Sequence, residues 1–256
     1  MNIYHFRVIA YLMENNQSPK PERIAKRIAA AGVCSRRQAE TLIEEGKVSV
    51  NGKIITSPAL NVILDDHVVV QGKPLDAPQQ SRLFRFHKPK GCLCTTKDPE
   101  GRQTIYDILP PNLPRVVSIG RLDFNSEGLL LLTTDGALAE KWMRGDHERV
   151  YRVRVYGQLT DDSLARLRKG LKTKHIFYKP MKIEMEPTEK SARNFWYRIT
   201  LTEGKNREIR NAIEAVGGQV TRLIRVAYGP ADLGSIPRKS VVEVPQNQLK
   251  KWQKEA

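Results

Sequence analysis

The stretch GRLDFNSEGLLLLTTDG, residues 120–136, constrains this chain more than any other. Its four consecutive leucines, Leu129 to Leu132, read as a buried strand. Arg121 and Asp123 stand just before it on a glycine-flanked loop. A buried strand needs a sheet around it, and the rest of the chain offers partners. Residues 83–87, 150–156, 181–186, 195–202 and 219–227 read as strands, several with period-two alternation. Residues 137–144, 161–171 and 207–216 read as helices, and a last helix is expected over Gln246–Glu255. Strands outnumber helices and do not alternate regularly with them. The expected fold is therefore α+β with a mixed, mainly antiparallel sheet, not a doubly wound parallel one.

A smaller unit precedes this one, over residues 21–74. Ile24, Ile28 and Ala31 fall at helical spacing, and Gly32 is a helix stop. Ser35 then begins S-R-R-Q, a capping-box pattern with Gln38 at the third helical position. Ala39, Leu42 and Ile43 supply the apolar stripe, and Gly46 closes the helix. Val48 and Val50 alternate with polar neighbours, and Asn51-Gly52 is the preferred two-residue hairpin turn. A further strand, Val68–Val70, ends at Gly72. KPLDAPQQSR, residues 73–82, carries two prolines and few large apolar side chains, which places a linker at 75–82. The organisation read from the chain is an extension over 1–20, a small domain over 21–74, the linker, a main domain over 83–245 and a helical tail over 246–256.

Composition narrows the function. Lys and Arg number 43 against 28 acids, a net charge of +15, and most of the excess lies after residue 80. A chain this basic is expected to meet a polyanion, with nucleic acid the first choice. The three cysteines build no disulfide framework, and Cys92 and Cys94 form a lone C-x-C without the further ligands of a zinc site. No apolar run is long enough to span a membrane. The mildly apolar first thirteen residues are broken by His5 and Arg7, and no small-residue cleavage site follows, so they do not read as a signal peptide. No phosphate-cradling or dinucleotide-binding glycine pattern occurs, and Gly217-Gly218 reads as a helix stop. No metal and no cofactor are expected. By residue type alone, Asp123 could equally cap a turn, and Tyr151 could be a plain strand aromatic.

Resemblance sharpens these readings. RIAKRIAAAGVCSRRQAETLIEEGKVSVNGKII resembles the S4 RNA-binding domain almost end to end. It implies a phosphate-gripping patch of Arg23, Lys26, Arg27, Arg36, Arg37 and Lys47, with Arg36 and Arg37 at a capped helix start. GRLDFNSEGLLLLTTDG resembles the signature of the RsuA/RluB family of ribosomal RNA pseudouridine synthases. KPKGCLCTTKDPEGRQTIYDILP (88–110), ERVYRVRV (148–155) and LTEGKNREIRNAIEAVG (201–217) match that family in the same order, so the likeness covers roughly residues 21–240. It implies that Asp123 is the catalytic aspartate, Tyr151 the active-site tyrosine, and Ile209 and Arg210 the third-motif pair. Arg121 would occupy the space left by the target nucleotide. Lys88, Lys90, Lys205, Asn206 and Arg207 would add RNA contacts. Phe124, Asn125 and Ser126 depart mildly from the family pattern, as does Asn211 where a second arginine often stands. Residues 1–20 have no counterpart.

The implied reaction breaks a uridine's N-glycosidic bond, rotates the held base and joins C5 to the sugar. A carboxylate suits it as a nucleophile that later leaves. Attack at C1′, attack at C6 and deprotonation at C2′ all remain open at this point. Each needs Asp123 ionised, and the resemblance gives Arg210 the task of favouring that form. The uridine must leave its stack first, and Tyr151 suits a platform or proton shuttle for the loose base. The expected activity is isomerisation of a 23S ribosomal RNA uridine, in the cytoplasm, by a monomer acting on ribosomal RNA or an assembly intermediate. Action on 16S RNA, a non-catalytic S4-type assembly factor and a glycosidase-like hydrolase are the alternatives. The hydrolase would need two carboxylates, and Glu127 is the only other acid in the motif before Asp135.

Overall fold

The computed structural model describes residues 21–76, 80–174, 176–187, 189 and 192–255, the Glu255 side chain excepted. The extension over 1–20, part of the linker and His175 lie outside the described residues. The chain forms two compact units. One comprises the described residues up to Ser81 with Thr134–Gly136, and the other comprises Arg82–Thr133 with the described residues from Ala137 on.

In the first unit, β1 (Glu22–Arg23) runs into α1 (Ile24–Ala30), followed by α2 (Arg36–Glu44). β2 (Val48–Val50), β3 (Lys53–Ile55), β4 (Asn61–Val62), β5 (Val68–Val70) and β6 (Lys73–Pro74) complete it. The α2 capping box forms as its sequence predicts. The Ser35 hydroxyl accepts from the Gln38 N–H at 3.2 Å, and the Gln38 side chain accepts from the Ser35 N–H at 3.0 Å. Asn51 and Gly52 both take the positive φ that a two-residue hairpin between β2 and β3 requires. Ile24, Ile28, Ala39, Ile43, Val48, Val68 and Val70 form the core. One expectation fails here. Arg27 is only 1 % exposed, and its Nη1 reaches the Asp76 carbonyl at 3.4 Å. It lies on the same helical face as Ile24, three residues earlier, so it is a core residue of this unit and not part of a surface patch.

The second unit is built on one sheet. Its elements are β7 (Leu83–Lys88), β8 (Val117–Ile119), β9 (Glu127–Thr133), α3 (Gly136–Arg144), β10 (Arg149–Tyr156), α4 (Asp161–Lys169), β11 (Leu171–Lys172) and β12 (Phe177–Tyr178). β13 (Lys182–Met185), β14 (Asn194–Leu201), α5 (Glu208–Glu214), β15 (Gln219–Tyr228), β16 (Ala231–Asp232), β17 (Val241–Glu243) and α6 (Gln246–Glu255) follow. The strand order is β13-β14-β10-β15-β9-β7-β17, with β16 on β15 and β8 on β9. Every pairing is antiparallel except β15 with β9. The fold is thus α+β with a mixed, mainly antiparallel sheet. Two predicted helices are shorter than their apolar patterns suggest. Gly170, at φ +90°, stops α4 so that Leu171 can start β11, and Arg207, at φ +50°, delays the start of α5.

The four leucines explain the layering. Leu129 and Leu131 enter a core capped by Trp142 of α3 and by Leu249 and Trp252 of α6. Leu130 and Leu132 point the other way, into a core with Phe84, Phe86, Cys92 and Ile105. A strand covered on both faces reads as a continuous apolar run. A third core joins β10, β13, β14 and β15 to α4 and α5.

The parallel seam between β9 and β15 depends on Gly128. Its φ is +109°, and a Cβ there would lie 2.3 Å from the Arg225 carbonyl oxygen and 2.7 Å from the Arg225 nitrogen. Gly128→Ala is expected to cost roughly 2–4 kcal/mol, read in thermal denaturation as a Tm lowered by about 5–10 °C. An unchanged Tm would show that the two strands separate there without penalty.

Candidate active site

The loop between β8 and β9 carries Arg121 and Asp123, and its geometry is set from behind. Lys88, the last residue of β7, is fully buried. Its Nζ donates to the carbonyls of Pro89 at 3.0 Å, Asp123 at 3.1 Å and Ser126 at 3.0 Å. The Phe124 carbonyl accepts from the Gly91 N–H at 2.9 Å, and the Asn125 carbonyl accepts from Arg210 Nη2 at 2.9 Å. Four consecutive carbonyls, from Asp123 to Ser126, are therefore each held by a donor outside the loop. The Asp123 carbonyl also accepts the Ser126 N–H at 3.0 Å, closing the turn. Cys94 adds packing, with its Sγ 3.4 Å from both the nitrogen and the carbonyl oxygen of Leu122. Burial pushes the Cys92 and Cys94 thiols up, so both serve as small apolar fillers.

Lys88 was expected to touch RNA, and the structure corrects that expectation. A fully buried ammonium bonded to three carbonyls is an internal clamp. Burial pushes the ammonium below its ordinary value, and the nearby thiols and the Asp123 carboxylate oppose that shift. Arg210 behaves similarly. Burial and the Arg207 charge lower it, while the Asp123 carboxylate raises it. Among the described residues the Asp123 carboxylate makes no ion pair within 4 Å. The attraction of Lys88 and Arg210 for it acts through space, while their hydrogen bonds go to the loop backbone.

The loop faces a cavity of about 1050 Å³ within the second unit. Arg121, Asp123, Tyr151, Ile209, Lys205, Asn206 and Arg207 all line it, so seven of the sequence-chosen residues converge on one cavity. Asp123 and Tyr151 are half-buried, Ile209 is buried, and Arg121, Lys205, Asn206 and Arg207 are exposed. Arg210 lies behind the loop and is not in the lining, and the exposed Lys90 is outside it as well. In the first unit Arg36 and Arg37 are exposed at the start of α2. Arg23 donates to the Ala59 carbonyl, and Lys26 and Lys47 pair with Glu22 at 3.1 Å and Glu45 at 2.7 Å.

Arg149, Arg225 and Glu208 are among the lining residues that the sequence does not single out. Arg149 stacks on the Tyr228 ring, 4.8 Å from its centroid, and donates to the Tyr228 hydroxyl at 3.2 Å. Arg225 is a buried charge in an otherwise apolar stretch of β15, and that contrast was the available signal. Glu208 starts α5 and accepts the Lys205 N–H at 2.8 Å. Burial, with a hydrogen bond to Glu203, pushes the Glu208 carboxyl up to about 7. Glu203 goes the other way: burial opposes its ionisation, but the Lys179 N–H and the Lys205 ammonium outweigh it. With the Lys205 N–H on Glu208 and the Lys205 ammonium 2.8 Å from Glu203, the two carboxyl groups pin the turn that presents Lys205, Asn206 and Arg207. No cluster of His, Cys, Asp and Glu suited to a metal occurs among the described residues, and no helix among them is long and apolar enough to cross a membrane.

Comparison with known proteins gives consistent matches. Residues 82–215 match the model of the RNA pseudouridylate synthase family, and residues 22–68 match the S4 domain. The chain is 45% identical to an uncharacterized RNA pseudouridine synthase of Rickettsia prowazekii, over 90% of this chain and 97% of that one. It is 42% identical to ribosomal large subunit pseudouridine synthase B of Salmonella typhimurium, over 87% of this chain and 79% of that one. Among solved structures it is similar to a pseudouridylate synthase with a TM-score of 0.62 at 26% identity, covering 90% of this chain and 98% of that one.

Two stability measurements test this geometry. Lys88→Met leaves three carbonyls without their buried donor and is expected to cost roughly 3 kcal/mol or more. Lys90→Met, at an exposed site, should leave the Tm unchanged. For Glu208 the sign follows from proton counting. The folded chain holds its proton up to about 7, whereas a free glutamate releases it near 4.5. Stability from this group is full below the lower value and is lost as pH rises through the upper one. Wild-type Tm should fall from about pH 5 to about pH 7.5 relative to Glu208→Gln. Parallel curves for the two proteins would contradict the raised Glu208 carboxyl.

Proposed function

This chain belongs to the RNA pseudouridylate synthase family, and we propose that it isomerises one uridine of 23S ribosomal RNA with Asp123 as nucleophile. It is an RNA pseudouridine synthase, an isomerase. The observation that carries the finer reading is the Asp123 turn: a half-buried carboxylate on a loop whose four carbonyls are held from outside, at the wall of a cavity of about 1050 Å³. The large-subunit assignment is supported by relatives named for that subunit in Salmonella and Shigella.

The residues divide the work. Arg121, exposed at the cavity, takes the space vacated when the uridine flips out. Tyr151 offers its face to the detached base and its hydroxyl to the proton leaving C5. Ile209 keeps water from the glycosyl centre. Lys88 and Arg210 hold the carbonyls of the turn and so fix where the Asp123 carboxylate stands on any of its three possible routes. Lys205, Asn206 and Arg207, with Arg36 and Arg37 of the S4 unit, grip phosphates and fix register. We place the RNA-anchoring domain at residues 21–74 and the chemistry at 83–245, in a monomer working in the cytoplasm. A glycosidase-like reaction would need a second carboxylate. Glu127 does not serve, because it is 3 % exposed and tied to Arg222 at 2.5 Å and Arg238 at 3.3 Å.

Mapping pseudouridines in ribosomal RNA from cells lacking the gene tests this reading. One 23S site should vanish, return with the wild-type gene and stay absent with Asp123→Ala. Loss of a 16S site instead would move the substrate to the small subunit. Restoration by Asp123→Ala would remove Asp123 from the chemistry.

A further inference from the structure

Arg225 lines the cavity at 2 % exposure, on β15 directly opposite Tyr151 of β10. Directly opposed residues of an antiparallel pair share a face, so its guanidinium leaves the sheet on the side of the tyrosine. Its Nε donates to the Leu129 carbonyl at 2.7 Å, and its Cζ lies 5.2 Å from the Tyr228 ring centroid. Its Nη2 is buried with no hydrogen-bond partner, and no carboxylate lies within 4 Å of it among the described residues. The Gly128 backbone packs against the Arg225 backbone and fixes where the side chain starts. A full positive charge is thus held at the cavity wall by one carbonyl and one ring. Such a charge is costly to bury unless an anionic group meets it.

We propose that Arg225 hydrogen-bonds the uracil of the target uridine and stabilises the negative charge that develops on it. The inference rests on the reading of the pocket as a uridine-isomerising site. When Asp123 attacks C1′, its oxygen–C1′ bond forms as C1′–N1 breaks, and the electron pair of that bond moves onto the base, spread over N1, O2 and O4. When C2′ is deprotonated, the base leaves with the same pair. When C6 is attacked, the charge appears at O4. Every route open to Asp123 therefore places negative charge on a uracil oxygen. The charge is discharged when C5 bonds to C1′, the bond to Asp123 breaks, C5 loses its proton and N1 gains one, with no oxidant or reductant needed. A fixed cation aimed at charge that exists only during reaction accelerates it without tightening ground-state binding. Depth favours the base over a backbone phosphate, because the exposed Lys205 and Arg207 occupy the rim.

Full-length wild type, Arg225→Gln, Arg225→Lys and Asp123→Ala would be compared on ribosomal RNA from cells lacking the gene. Single-turnover pseudouridine formation at saturating enzyme, RNA affinity and Tm would be measured for each. Arg225→Gln should bind RNA within about threefold of wild type yet react about 100- to 1000-fold more slowly. Arg225→Lys should recover part of that rate. Weakened binding at an unchanged rate would overturn the proposal in favour of a phosphate contact. Equal rate losses in both variants with lowered Tm would overturn it in favour of a packing role. Failure of wild type itself would bring down the underlying reading, and this one with it, and would be visible in that arm alone.

Discussion

The site depends on one buried ammonium. Lys88 ends β7 fully buried and joins the carbonyl of its neighbour Pro89 to those of Asp123 and Ser126, 35 and 38 residues on. Removing an ammonium from water costs on the order of several kcal/mol, and only well-placed acceptors offset it. Two of those acceptors belong to the turn that carries Asp123, so the same bonds that stabilise the buried charge fix the carboxylate. Arg210, from α5, and the Gly91 N–H hold the two carbonyls in between. The turn is thus a junction of β7, β9 and α5, and its shape follows from the sheet.

Around that junction charge is sorted by depth. Lys88, Arg210 and Arg225 are buried or half-buried at or behind the cavity wall, while Arg121, Lys205 and Arg207 stand exposed at it. Carboxylates other than Asp123 are kept out of play. Glu127 is held by Arg222 and Arg238, and Glu208 is turned to the Lys205 N–H with its carboxyl pushed up to about 7 by burial. Among the described residues Asp123 remains as the carboxylate of the loop without an ion pair within 4 Å. An RNA chain can be gripped at the rim without neutralising the groups that act on the base.

Much of this was legible in the sequence because it is local. The Ser35–Gln38 capping box, the Asn51-Gly52 hairpin and the bounds of α6 are written in a few adjacent residues. The Leu129–Leu132 run announced a strand covered on both faces, and four ordered motifs placed Asp123, Tyr151 and Ile209 at one cavity. Burial of charge was not legible. Arg27 and Lys88 look like surface cations in a chain of net charge +15, and only contacts with Asp76, Asp123 and Ser126 reveal them as internal. Arg225 is hidden for the same reason, because Gly128 and Leu129, which fix its backbone and its Nε, are about a hundred residues away. The contact that Arg210 makes with Asn125, and not with Asp123, depends on the exact height of the turn, which no motif encodes.

The central claim is that this turn holds a carboxylate that performs the isomerisation. The most direct test is the purified Asp123→Asn protein, nearly equal in size and lacking only the charge. It would be assayed beside wild type for RNA affinity and for single-turnover conversion of one uridine in a defined 23S fragment. The account predicts unchanged binding and no conversion by the variant. Conversion by the variant at a rate near wild type would contradict it.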